Sequence, residues 1–142
     1  MNEEENEGII SQHSIILFDG VCNLCNRSVD FIIRRDKKDY FRFAPLQSET
    51  GKSLLEKYHP LFRENESVVL IESGKVYRKS DAACRVMKHL PGIWKMFSWS
   101  IIFPKPLRDS IYDYIASHRY RWFGKRNTCR IPSPEEADKF LD

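Results

Sequence analysis

A chain of 142 residues, 42% hydrophobic and 13% aromatic, is long enough for one domain with its own core and needs no disulfide staples to fold. No basic segment precedes an apolar one at the N-terminus, and no stretch of about 18 apolar residues occurs. Neither a secretory signal nor a transmembrane helix is therefore expected, and the expected location is the cytoplasm. The formal charge of +3 is unevenly spread. Residues 1–8 hold four Glu and no base, which predicts a disordered acidic tail over about 1–13. Residues 85–130 hold ten Lys or Arg against Asp109 and Asp113. This basic third is expected to be a solvated helix face, with no nucleic-acid partner.

In chain order, Ser14–Phe18 is a short apolar run ending at Asp19-Gly20, which reads as a buried strand and a turn. Cys25, Val29, Ile32 and Ile33 recur at helical spacing up to about Arg35. Tyr40–Ala44 is aromatic and strand-like, and Pro45 closes it. Gly51, Leu54, Leu55 and Tyr58 share a helical face ahead of Pro60. Ser67–Ile71 and Lys75–Arg78 flank Glu72-Ser73-Gly74, a hairpin pattern with Gly74 available for a positive φ. Ser80 is the expected N-cap of the next helix, with Asp81 in its first turn. Ala83, Val86, Met87 and Leu90 are its apolar stripe, and Pro91-Gly92 its stop.

From about residue 93 the chain is rich in large apolar residues: Ile93, Trp94, Phe97, Trp99, Ile101, Ile102 and Phe103. They predict a helical cap on the core. An amphipathic anchor lying on a membrane surface is the less favoured alternative, with Lys105 and Arg108 beside it. A last helical pattern puts Leu107, Ile111, Tyr114, Ile115, His118 and Trp122 on one face, expected to be buried. The order βαβαββα predicts one α/β domain over residues 14–130: a four-stranded mixed sheet with helices on both faces, a right-handed first crossover and a C-terminal helical extension. Residues 131–142 are expected to be a tail.

The chemistry centres on Cys22 and Cys25, placed where the first strand feeds the first helix. At a helix start the unpaired backbone N–H groups and the helix dipole favour a thiolate, and the thiolate is the nucleophile. Cys22 is therefore the expected attacking thiol. Cys25, one turn further in and less exposed, is the expected resolving thiol. A close cysteine pair in the cytosol is more often catalytic or metal-binding than structural. The competing reading is a zinc or interaction module built from Cys22, Cys25, Cys84 and Cys129, or a histidine in place of one. No second CxxC supports it, so no metal and no other cofactor is expected. Cys84 reads as a packed small residue. Asp19 is either a proton relay for Cys25 or a turn aspartate holding backbone N–H groups.

At these residues the chain resembles the thiol-disulfide oxidoreductase DCC family, named for an Asp and two Cys arranged like Asp19, Cys22 and Cys25. The likeness extends over Phe18–Cys25, Phe43–Gln47, Ser80–Ala83 and Arg119–Gly124, within about residues 14–130. It implies a thioredoxin-like fold and a protein-disulfide oxidoreductase but supplies no substrate; the exchange chemistry itself leads us to expect a disulfide-containing protein or a small thiol as partner. Better-known thioredoxin-like enzymes carry a cis-proline before the strand facing the redox pair. Here that position reads Glu64–Ser67, with no proline, and Pro60 comes too early. In the basic stretch, Arg121 and Arg119 are the candidates for pairing with Asp19, for holding the Cys22 thiolate or for binding a substrate carboxylate. Arg121 is favoured because it borders the expected apolar face. Asp81 is a further candidate partner.

Overall fold

Strand β1 (Ser14–Phe18) is buried along its whole length, as its unbroken apolar sequence requires. The computed structural model describes residues 13–36, 40–46, 48–58, 68–73, 75–90, 102–124 and 139–140. After β1 come α1 (Asn23–Arg35), β2 (Phe41–Pro45), α2 (Glu49–Tyr58), β3 (Val68–Glu72), β4 (Lys75–Arg78), α3 (Lys79–Lys88) and α4 (Lys105–Phe123). The sheet runs β2-β1-β3-β4. β1 pairs parallel with β2 and antiparallel with β3, and β3 pairs antiparallel with β4. This is the thioredoxin-like α/β arrangement with an added C-terminal helix.

The strand pleat sorts the core into two halves. Ile16 and Phe18 point to one side and pack with Phe43, Leu70, Val29 and Ile32 of α1, and Ala82, Val86 and Leu90 at α3. Ile15 and Leu17 point to the other side, with Val69, Ile71 and Leu54 of α2. A one-residue slip of β1 would exchange the two sets, so the register is tightly specified. On the α2 side, a Cβ on Gly51 would collide with the Pro45 carbonyl, so glycine lets α2 close onto the end of β2. Phe140, in the stretch read as a tail, bridges to Phe43 and packs its ring 6.1 Å from that of Phe18.

Several local expectations are corrected. In the β3–β4 hairpin, Ser73 takes the positive φ, at 52°; Gly74 lies outside the described residues. The N-cap of α3 is Arg78, with no side-chain capping bond, and Ser80 sits inside the first turn. There its hydroxyl donates to Asp109 of α4. Ala83 is exposed, and Ala82 takes the buried position.

The largest correction concerns α4. Leu107, Ile111, Tyr114, Ile115 and Trp122 are exposed, Tyr114 to 59%. Its inward residues include Ala116 and Arg119, both buried, and Tyr120, half-buried. The reason is what the helix meets. One end docks on Ser80 and Asp81, and the other on Asp19 and Asn23, so polar side chains must face in. The aromatic row left outside packs on itself, with the His118 ring stacked 4.9 Å from that of Trp122 and tilted at 4.6 Å from that of Tyr114. Ile102 and Phe103, expected to pack on the core as part of a helical cap, are exposed as well. The remainder of that expected cap, residues 93–101, lies outside the described residues, as do the acidic segment 1–12 and Cys129. Among the described residues no helix is long and apolar enough to cross a membrane.

Candidate active site

The turn between β1 and α1 carries Asp19, Cys22 and Cys25. Asp19 follows the last residue of β1, and its Oδ1 accepts the Val21 N–H at 3.2 Å, closing the turn. Cys22 is the N-cap of α1, with φ −89° and ψ 122°, and its sulfur accepts the Cys25 N–H at 3.4 Å. A sulfur thus occupies the place where a capping oxygen usually sits, facing otherwise orphaned helix donors. Asn26 fixes the approach to the helix. Its side-chain amide donates to the carbonyls of Gly20 at 2.9 Å and Cys22 at 3.0 Å.

The two thiols are driven apart in acidity. The hydrogen bond from the Cys25 thiol draws the Cys22 thiol down to about 7. The backbone N–H groups of Cys25 and Leu24 add to this, while burial and the Asp19 charge oppose it. Cys25 moves far upward, because its proton is held in the bond to Cys22 and because burial and the charges of Cys22 and Asp19 disfavour a second anion. Both are unpaired thiols in this structure. Both sulfur-bearing residues are buried, Cys22 at 0% and Cys25 at 5% exposure.

The C-terminal end of α4 helps explain that burial. The Gly124 carbonyl accepts the Asn23 N–H at 3.3 Å, and the Phe123 carbonyl accepts the Asn23 side-chain amide at 2.8 Å. The negative end of α4 thereby meets the positive end of α1 at the cysteine motif. Gly124 has φ 89°, and a Cβ there would come 2.9 Å from Asn23 Nδ2. Gly124→Ala should loosen this contact, costing about 1–3 kcal/mol for the strained backbone. Alkylation of Cys22 should become faster; an unchanged rate would show that this turn does not shield the sulfur.

Asp19 itself is 3% exposed. Its Oδ2 accepts Nε and Nη2 of Arg119 at 3.4 and 3.3 Å, and the Tyr120 hydroxyl donates to the same oxygen. Burial and the bond to Asp19 push the Tyr120 hydroxyl up to about 12, so it stays protonated and donating. Burial works against the Arg119 charge, but Tyr120, Asp19 and Cys25 outweigh it, and its acidity falls further. The turn, the pair and two side chains of α4 thus form one buried polar cluster at the edge of an apolar core.

A model of the family described as DCC1-like thiol-disulfide oxidoreductase matches residues 16–125, and both cysteines and Asp19 fall inside the match. The chain belongs to that family. It is 51% identical over 127 residues to the uncharacterized protein YuxK of Bacillus subtilis, covering 89% of this chain and 93% of that one. It is 39% identical over 118 residues to a DCC family protein of Arabidopsis thaliana whose name marks it as chloroplastic, covering 82% and 69% of the two chains. No solved structure matches.

Of the other residues singled out from the DCC motif and the basic stretch, the structure gathers Arg119 at Asp19 and leaves Arg121 exposed. Two residues along a helix turn through about 200°, so the two arginines take opposite faces, and the misread apolar face favoured the wrong one. Asp81 is not at the pair. It accepts Lys105 at 2.7 Å and Arg108 at 2.9 Å, tying the start of α4 to the start of α3. Cys84 is buried in α3. Among the described residues no three His, Cys, Asp or Glu are grouped to hold a metal ion. The sequence reading missed Tyr120, Asn26 and Asn23. The available signal was a polar residue at an inward helical position: Asn26 follows Cys25 on the face that buries Val29.

Proposed function

We propose that this DCC1-like protein exchanges disulfides through Cys22 and Cys25 in the cytoplasm. The observation that carries this reading is the division of labour between the two sulfurs. One caps a helix and is drawn to about 7; the other, one turn on, keeps its proton in a bond to the first. Cys22 attacks a substrate disulfide and forms a mixed disulfide. Cys25 then attacks the Cys22 sulfur, releases the reduced product and leaves the protein disulfide. Asp19 is assigned the proton relay from Cys25 in the second step. The family model and the close pair support the reading, as does the rarity of structural disulfides in the cytosol.

The test is the pH dependence of Cys22 alkylation, followed by mass spectrometry in the reduced protein. Above about pH 7 the thiolate dominates and the rate is flat; below it the rate falls about tenfold per pH unit. Burial keeps the absolute rate below that of a free thiol, but the midpoint still reports the acidity. A midpoint near the ordinary cysteine value of about 8.5 would remove the support for an activated nucleophile.

A further inference from the structure

Between α1, α3 and α4 lies a cavity of about 510 Å3, floored by Ile16 and Phe18 of β1. Its walls include Phe31 from α1, Val86 and Met87 from α3 and Ile115 from α4. Cys25 stands in the wall beside them. Arg119 also borders the space, but its guanidinium faces Asp19. Arg27 and Ser28, exposed on α1, mark an open side. A volume of this size lies within the range of small-molecule pockets, and apolar cavities favour apolar guests over water.

We propose that this cavity holds the organic chain of a small apolar disulfide, and that such molecules are the substrates of the Cys22–Cys25 pair. The proposal rests on the exchange reading and names its substrate class. Cys22 is fully buried and is not among the residues lining the cavity, but its sulfur accepts a hydrogen bond from Cys25, which is. A chain lying along the cavity therefore reaches the pair where the flat surface of a folded protein does not. A slim molecule entering between α1 and α4 approaches the pair from the side of Cys25. In the first step the Cys22 thiolate bonds to one sulfur of the disulfide, and the other leaves as a thiolate that takes up a proton. The retained chain then lies in the cavity against Cys25. In the second step Cys25 gives up its proton and attacks the Cys22 sulfur. The retained chain leaves as the second thiolate and is protonated in turn. The pair is oxidised by two electrons, and one disulfide becomes two thiols.

The experiment measures kcat/KM for oxidation of the reduced protein by diethyl, dipropyl and dibutyl disulfide, with hydroxyethyl disulfide as the polar reference. The reduced form of a cystine-containing protein, insulin, is the product monitored in a parallel reaction run with insulin as oxidant. Each methylene added to the chain in the cavity should raise kcat/KM about fourfold. Ser28→Trp and Ala83→Phe, which enlarge exposed residues on the cavity wall, should collapse the ratio of dibutyl to hydroxyethyl rates toward one. Equal rates along the series, or insulin exchanging faster than dibutyl disulfide, would overturn the substrate class while leaving the exchange reading standing. No oxidation by any of these disulfides would overturn both.

Discussion

Cys22→Ser should abolish disulfide exchange, whereas Cys25→Ser should accumulate mixed disulfides on Cys22. The asymmetry follows from the bond between the two sulfurs. While Cys22 is a thiolate, its charge and its acceptance of the Cys25 proton keep Cys25 neutral and unreactive. Once Cys22 is bonded to a substrate sulfur it is no longer an anion, and the cause that held the proton on Cys25 disappears. Cys25 then becomes easier to deprotonate only when its attack is useful. Serine at position 25 removes the resolving sulfur but keeps a hydroxyl that can donate to Cys22 in place of the thiol. The Cys22 thiolate therefore keeps a donor in that variant, and the mixed disulfide it forms has no thiol beside it to resolve it. Mass spectrometry of the protein after exposure to hydroxyethyl disulfide reads the outcome. Adducts on Cys22→Ser and none on Cys25→Ser would reverse the two roles.

The sheet and the cysteine motif were legible because local signals and burial agree there. An unbroken apolar run can satisfy its neighbours only in the middle of a sheet, and Ser14–Phe18 is there. The strand-to-helix step at Asp19–Cys25 brought both sulfurs to the start of α1. The fourth helix was legible as a helix but not in its orientation. Hydrophobic periodicity finds the face that avoids water when the partner surface is apolar. The ends of α4 meet carboxylates, a serine and an asparagine, so Arg119 and Tyr120 turn inward and Trp122 outward. Asp81 does lie in the first turn of α3, but Ser80 is not its cap and Asp81 is not a neighbour of the cysteine pair, for a related reason. Both look like local helix-start signals, yet their partners, Asp109, Lys105 and Arg108, lie 24–29 residues away. Long-range polar pairing leaves no period in a sequence.

The same pairing makes Arg119 the position where a single change should cost the most stability. Arg119→Met should destabilise the protein by about 3–5 kcal/mol, the usual result of leaving a buried charge without its partner. The Arg119 and Asp19 side chains are only 9% and 4% exposed, so water screens the loss poorly. Asp19→Asn should cost a similar amount by stranding the guanidinium. The double variant Asp19→Asn/Arg119→Met should cost less than the sum of the two, because neither charge remains to be stranded. Tyr120→Phe keeps the ring and removes one donor to Asp19, for a smaller loss of about 1–3 kcal/mol. Urea unfolding midpoints measure all four. The acidity of the pair separates this cluster from a merely structural one. The Asp19 charge raises Cys22, so Asp19→Asn should move the alkylation midpoint below 7. Arg119 lowers Cys25, so Arg119→Met should push Cys25 higher still and slow the resolving step. Additive stability losses with an unmoved alkylation midpoint would reduce the cluster to a clamp that fastens α4 to the domain.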